Sequence, residues 1–416
     1  MKKIPFIFLF LVGLMKAQET LTLEQCYQLA RENFPLIKKQ ELIKKSAEYT
    51  IENTNKGWFP QINVVAQATY QNDVTQFPVK LPNISVEPLS KDQYKIFTDI
   101  SQTIYDGGNI KNQRKLAKIQ SEVQTVQTEV ELSKLKERIN HLYFGILQTG
   151  KQLEQLQFTK TDIIAGIKKS EAQLKNGVVF RSNLDVLKAE LVKLEQREIV
   201  LKSMNQSFVQ MLSYFVNKNL DENSLLQTPE KLMVTETNHR SELQLFDTQK
   251  TLIETQKKII ITKNTPKLGA FFQGGYGKPG FNMLKNEFDW FYIGGLRLNI
   301  PISGFYTKKN DLDLLENQSQ DIEIQRENFL FNQNFTEIQQ RNDLEKIQQL
   351  IEKDDELINL RKSIKKASLA QLDNGVINTN DYLRDVNAEE QAVLAKISHE
   401  IQYLLTLYNL KANLNN

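Results

Sequence analysis

The residues best suited to covalent or metal chemistry are few and scattered in this chain. Its three histidines, His141, His239 and His399, stand far apart, and no two are spaced four residues apart, the spacing that sets two imidazoles on one helix face. That disposition suits structural or exposed histidines, not a metal centre. The single cysteine, Cys26, cannot close a disulfide within the chain. No glycine loop for phosphate and no strained nucleophile turn is present. Gly274-Gly275-Tyr276-Gly277 reads as a strand end and turn. Asp354 stands on an apolar stripe between Ile351 and Ile358 and is expected to be solvated. The net charge of +3 comes without a polybasic block, so nothing points to nucleic acid. No catalytic residue, metal or cofactor is expected.

What remains to be explained is architecture. Two near-copies of one stretch organise it: Gln173-Leu174-Lys175-Asn176-Gly177-Val178-Val179 and Gln371-Leu372-Asp373-Asn374-Gly375-Val376-Ile377. Each lies between long runs of helical apolar periodicity. Asn-Gly is a turn signal, because glycine takes positive φ without steric cost. Each copy is therefore the bend of a helical hairpin.

The first residues address the compartment. Lys2 and Lys3 precede an apolar run over residues 4–14, followed by Lys16-Ala17-Gln18. That order suits a secretory leader, residues 1–17, cleaved near Ala17. The run is about half the ~20 residues a membrane-spanning helix needs. Cys26 lies well past it, with no small residue just before, and reads as a buried helix residue rather than a lipid-bearing terminus. No later stretch is apolar enough for a spanning helix, so the mature chain is either soluble in the periplasm or crosses a membrane as β-strands.

Thr22, with Gln25 three residues on, forms a capping box that opens a helix running to about Lys56, kinked or interrupted by Pro35. Over residues 61–70 the period becomes two. Ile62, Val64, Ala66, Ala68 and Tyr70 share one face against Gln61, Asn63, Gln67 and Thr69, with Val65 the exception. Residues 71–93, with Pro78, Pro82 and Pro88, read as a loop. A second alternating run over 94–105 puts Tyr94, Ile96, Ile100 and Ile104 opposite Lys95, Asp99, Ser101 and Thr103, and Asp106-Gly107-Gly108 stops it. From 109 to 216 the pattern is a helical hairpin, with Leu132, Leu135, Ile139, Leu142, Ile146, Leu153 and Leu156 at coiled-coil spacing and Leu184, Leu187, Leu191 and Leu194 on the return. At about 1.5 Å per residue its first helix would run ~100 Å.

The same order then recurs: a helix over 241–263, strands at about 267–276 and 289–300, and a hairpin over 305–412. In that hairpin Leu344, Ile347, Ile351 and Ile358, and then Leu357, Leu360, Ile364 and Ala367, mark the outgoing helix. Ile397, Ile401, Leu404 and Tyr408 mark the return. Pro266 follows Pro60 by 206 residues, Gly304 follows Gly107 by 197, and Gly375 follows Gly177 by 198. These offsets indicate an internal twofold repeat, residues 18–230 and 231–416. Strands of about ten residues suit a tilted membrane crossing, and Trp58, Phe59, Tyr70, Tyr94, Tyr105, Tyr276 and Trp290 fall near their ends as an interfacial girdle would. Four strands cannot close a barrel. Either the sheet lies outside a membrane or several chains pool their strands, three chains supplying twelve.

Leu21-Thr22-Leu23-Glu24-Gln25-Cys26 through Ala30, Asn33 and Pro35 resembles the amino-terminal signature of the TolC-type outer-membrane efflux proteins. Trp58-Phe59-Pro60, Tyr105-Asp106-Gly107-Gly108, the Asn-Gly bends and the repeat are similar too, over the whole mature chain. The resemblance implies an α+β membrane protein: a homotrimer whose twelve-stranded β-barrel, four strands per chain, sits in outer-membrane lipid and continues as a long periplasmic α-helical barrel. It implies an exit duct without enzymatic activity, fed by an inner-membrane pump through a periplasmic adaptor. A protein-secretion channel and a non-conducting periplasmic coiled-coil scaffold are the alternatives. In the family, acidic residues six and nine positions after the second bend glycine face the pore; here these are Asp381, which matches, and Arg384, which does not. Three Asp381 carboxylates around one axis would draw cations, and Arg384 would neutralise them or pair with them across subunits. The alternative for Asp381 is a plain role at the start of the last helix. The adaptor would meet the bends Asn176-Gly177-Val178 and Asn374-Gly375-Val376.

Overall fold

A computed structural model describes residues 20–75, 88–221, 226–231 and 240–414. The expected leader, residues 1–17, lies outside the described residues, as do Pro78, Pro82 and His239. Thr22 caps α1 (Leu23–Asn33) through the expected box: its Oγ1 accepts from Gln25 N at 3.2 Å while its own N–H donates to Gln25 Oε1 at 2.9 Å. Pro35, which lacks a backbone donor, separates α1 from α2 (Ile37–Asn55). The rest follows as β1 (Gln61–Tyr70), β2 (Asp92–Tyr105), α3 (Asn109–Lys175), α4 (Arg181–Val216), α5 (Ser241–Lys263), β3 (Lys267–Lys278), β4 (Asp289–Asn299), α6 (Phe305–Asp373) and α7 (Thr379–Leu414). No helix of the described residues is long and apolar enough to cross a membrane.

The described residues fall into two compact units: 20–37, 129–221, 226–231, 240–241 and 329–414 form one, and 38–75, 88–128 and 242–328 the other. The second unit holds the sheet, four strands in the order β1-β2-β3-β4, all antiparallel. β2 and β3 pair although 161 residues separate Tyr105 from Lys267, and β1 and β4 are the edges. The register puts Ile62 opposite Ile100, Ile96 opposite Tyr276, and Tyr276 opposite Trp290, so one face is apolar from edge to edge. Most of it is bare: Phe288 stacks on Tyr94 and Tyr276 at one end, while Val64 is 71% exposed, Trp290 78% and Leu296 70%. The other face carries Gln61, Asn63, Lys95, Asp99, Gln273 and Arg297, and a Gln273–Asp99 hydrogen bond of 3.0 Å ties β3 to β2 there. Phe97, Phe271 and Phe291 share this polar face. The register slips at Ile104, which sequence alternation placed with Ile100, and Tyr105 instead stands opposite Leu268. Asp106 ends the strand and caps α3, its carboxylate accepting from Gly108 N at 2.8 Å and from Ile110 N. Ion pairs Lys250–Glu323 (2.7 Å) and Lys257–Glu316 (2.8 Å) join α5 to α6.

The first unit is built on the coiled-coil stripe. Leu132, Leu135, Ile139 and Leu142 of α3 are buried with Leu23, Cys26 and Ala30 of α1, Leu212 and Val216 of α4, and Ile401, Leu404 and Tyr408 of α7. Burial pushes the Cys26 thiol up to about 12, so it stays protonated and unreactive at neutral pH. A second cluster joins Leu156 and Ile163 of α3, Leu187, Leu194 and Leu201 of α4, and Leu383 and Val386 of α7. Leu357, Leu360 and Ile364 lie in α6 as their helical spacing indicates and are exposed. One reading of α6 is corrected. Asp354, expected in solvent, is buried and lies 2.6 Å from His399 Nδ1, which supplies the polar partner that burial demands.

Fully buried Tyr143 directs its hydroxyl at the carbonyls of Leu21 (2.8 Å) and Gln227 (2.6 Å), pinning the Leu21–Leu226 bridge to α3. Tyr143→Phe removes the donor to Gln227 O, while Leu21 O keeps Gln227 N at 3.3 Å, and is expected to cost about 1–3 kcal/mol. Urea unfolding should show a lower midpoint at unchanged slope.

Candidate functional site

The two bends have one backbone solution. At Gly177 φ is 69° and at Gly375 it is 71°, the left-handed region that a side chain enters only with strain. Gly177 N donates to Leu174 O (3.0 Å) and Val178 N to Gln173 O (2.9 Å). Gly375 N to Leu372 O (3.1 Å) and Val376 N to Gln371 O (2.9 Å) repeat the pattern. This double closure satisfies carbonyls that a helix end leaves open, and it stops each helix at the glycine. Val178 and Val376 are exposed, as is Phe180. The sequence thus located both bends and the apolar contact each offers.

A groove of about 880 Å³ lies between the two hairpin ends. Val178 and Phe180 line it on one side, Val376 and Tyr382 on the other, with Asp381 on its wall. Asp381 sits in the first turn of α7, where the helix dipole favours a carboxylate. The cap itself is Asn378, whose Oδ1 accepts from Asp381 N at 3.0 Å. Arg384 pairs with Asp381 one turn along the same helix at 3.7 Å, and its Nε lies 3.9 Å from Asp385. This contact is loose and Arg384 is mostly exposed, so its guanidinium stays free to turn elsewhere.

The strongest polar contacts of this region were not found from sequence. Lys365 of α6 reaches Asp162 of α3 at 3.1 Å and Glu389 of α7 at 2.6 Å. Burial opposes the Lys365 charge, but hydrogen bonds to Glu389 and Asp162 outweigh it and raise its pKa above the ordinary lysine value. Lys169 pairs with Asp373, and Ser368 with Asp385. Further along, buried Glu390 of α7 meets Arg197 of α4 at 3.2 Å. Desolvation raises the Glu390 pKa and Arg197 partly offsets it. Glu198 of α4 accepts from Lys160 of α3 (2.6 Å) and from Lys202 (2.8 Å), bonds that hold its carboxyl down at about 2. These partners stand on different helices, up to 227 residues apart from Asp162 to Glu389, so no local spacing announces them. Among the described residues no cluster of His, Cys, Asp and Glu could hold a metal ion.

Residues 26–206 match the family model described as outer membrane efflux protein. No curated protein sequence matches the chain. Solved structures match closely in shape. The CmeC outer membrane channel of Campylobacter jejuni superposes with TM-score 0.69 at 13% identity, covering 94% of this chain and 85% of its own. CusC, whose structures concern transmembrane channel formation, gives 0.72 at 12%, covering 94% and 91%. The outer membrane protein VceC of Vibrio cholerae gives 0.70 at 14%, covering 94% and 95%.

The chain has the fold of these outer membrane channels. The resemblance read from the amino-terminal signature and the bends therefore holds, in sequence over residues 26–206 and in fold over nearly the whole chain. Within this channel fold, helices of this chain supply both hairpins and its four strands supply the sheet.

Lys365→Met removes one cation from two carboxylates and is expected to loosen the hairpin ends. Amide exchange at Val376–Asn378 should quicken severalfold, with the core at Ile139 and Leu212 unchanged. In the unaltered protein the clamp is present below the ordinary lysine pKa and is lost as pH rises through the raised one, a step the variant lacks. On the acid side, the Glu198 pairing is complete above the ordinary carboxyl pKa and disappears as pH falls toward about 2, so Glu198→Gln should flatten stability over that window.

Proposed function

We propose that this chain is one third of a passive exit duct: a homotrimer with a twelve-stranded barrel in the outer membrane and the hairpins as a helical barrel in the periplasm. The largely bare apolar sheet face carries this reading. Its far side is polar, and both edges of the sheet are open within the chain. In lipid, unpaired edge groups cost several kcal/mol each, so strands must be shared among chains until the cylinder closes. Exposed aromatics stand near the ends of the sheet, Tyr94, Tyr276 and Trp290 at one end and Tyr105, with Trp58 and Phe59 just before β1, at the other, as an interfacial girdle requires. Neighbouring chains would also cover the Leu357, Leu360 and Ile364 stripe.

The duct receives substrate from an inner-membrane pump through a periplasmic adaptor that meets Asn176, Gly177 and Val178 and Asn374, Gly375 and Val376. Asp381 and Arg384 lie at its inner mouth, Asp381 on the wall of the groove between the bends. The internal duplication gives both hairpins one bend geometry, so an adaptor finds related docking points around the ring. Protein export through the same duct is the second reading. A scaffold that conducts nothing leaves the bare sheet face without a purpose.

Purified protein in a planar bilayer is expected to give discrete channel currents, and its extraction to require detergent. Arg384→Ala is expected to raise the conductance of the closed mouth and to increase antibiotic leakage in cells. A water-soluble monomer without conductance, even with both Asp381 and Arg384 replaced by alanine, overturns the duct.

A further inference from the structure

One feature of the sheet does not follow from a polar passage enclosed by an apolar exterior. Of the eleven residues of β4, Phe291 alone is buried, and it lies on the polar face. Two contacts bury it. Across the sheet, Phe97 of β2 approaches it with ring centroids 6.3 Å apart. Between them stands Gly275 of β3, opposite both in register. A Cβ there would lie 2.2 Å from Ile96 O and 2.4 Å from Phe97 Cβ, so only glycine lets the two rings lean together over the middle strand. The second contact comes from outside the sheet. The connection between β3 and β4, residues 279–288, folds back so that Phe281 meets Phe291 edge to face at 4.9 Å.

The connection is held there. Asn286 Oδ1 accepts from both the N–H (3.0 Å) and the hydroxyl (2.9 Å) of Ser90 in the β1–β2 connection. Gly280 is buried against Asp289, and Lys285 pairs with Glu287 at 3.3 Å, so the stretch brings no net charge from that pair. Its exposed apolar residues are Phe281, Met283, Leu284 and Phe288, beside the exposed polar Asn282, Lys285 and Glu287. Phe288, at the root of the connection, stacks on Tyr94 and Tyr276 of the apolar face, whereas Phe281 folds onto the polar face, over the passage rather than over lipid.

We propose that Phe97, Phe281, Phe291 and the adjoining Met283 and Leu284 form an aromatic collar at the outer end of the duct, repeated in each subunit, which contacts small organic solutes bearing an apolar or aromatic face. This rests on the trimeric duct proposed above and names its substrate class. A collar tied down through Ser90 narrows the outlet. It gives such solutes an aromatic surface near the exit, and it favours small-molecule efflux over the passage of polypeptide.

The test uses purified trimer in a planar bilayer, with tetraphenylphosphonium or tetramethylammonium added on the side of the β3–β4 connection. The two probes share a charge, so a difference between them reports the apolar contact. Tetraphenylphosphonium is expected to block the current and tetramethylammonium to pass. Phe281→Ala should weaken the block roughly tenfold, the effect of losing one aromatic contact. Asn286→Ala, which frees the loop and leaves every ring in place, should weaken it in the same direction, and Phe281→Tyr should keep it. Channels that conduct normally but are blocked equally in the unaltered protein, Phe281→Ala and Asn286→Ala overturn the collar and leave the duct standing. Absence of current in every preparation overturns the duct, and the collar with it.

Discussion

An apolar sheet face left largely bare is the constraint on which the structure depends. In water, roughly 25 cal/mol per Å² of apolar surface is at stake, and a soluble protein would lay helices across such a face. Here Ile62, Val64, Leu296 and Leu298 stay bare. A lipid exterior meets that demand for side chains but sharpens it for the backbone, because hydrocarbon offers no partner to the free edges of β1 and β4. A sheet of this kind is complete only when its edges meet other edges.

The helical unit rests on different physics. Near α1 its interior is a dense apolar cluster around Ile139, Tyr143 and Leu212, all of them fully buried. Toward the bends, apolar packing gives way to charge: Lys365 between Asp162 and Glu389, Lys169 on Asp373, Arg197 on Glu390. Apolar burial is insensitive to direction, whereas ion pairs exchange partners at small cost where water has access. A densely packed apolar base and a charged tip fit the inner mouth proposed above. At the sheet's far end, the Phe281 contact gives the proposed outlet an apolar lining that the alternation of the strands does not call for.

Much of this was legible in the chain. Alternation fixed β1 to the residue, the capping box placed α1, and the two Asn-Gly bends fell where Gly177 and Gly375 take positive φ. These are local signals, carried by neighbours a few residues apart. The misreadings share a cause as well. Ile104 followed the alternation on paper but sits at a slip in register that only its pairing with β3 creates. Asp354 appeared solvated because its partner, His399, stands 45 residues away on another helix. Phe97, Phe281 and Phe291 read as ordinary strand and loop residues along the chain, and only the fold sets Phe97 and Phe291 on either side of Gly275.

The sequence by itself determined which segments are helix and which are strand, where each hairpin bends, and which face of each strand is apolar, because periodicity and turn chemistry act within a few residues. Tertiary structure alone decided that β2 pairs with β3, that Lys365 is shared by two distant carboxylates, and that the β3–β4 connection folds onto the polar face. Those choices depend on atoms far apart in the chain meeting at hydrogen-bond and van der Waals distances, and no spacing along a single strand or helix encodes that meeting.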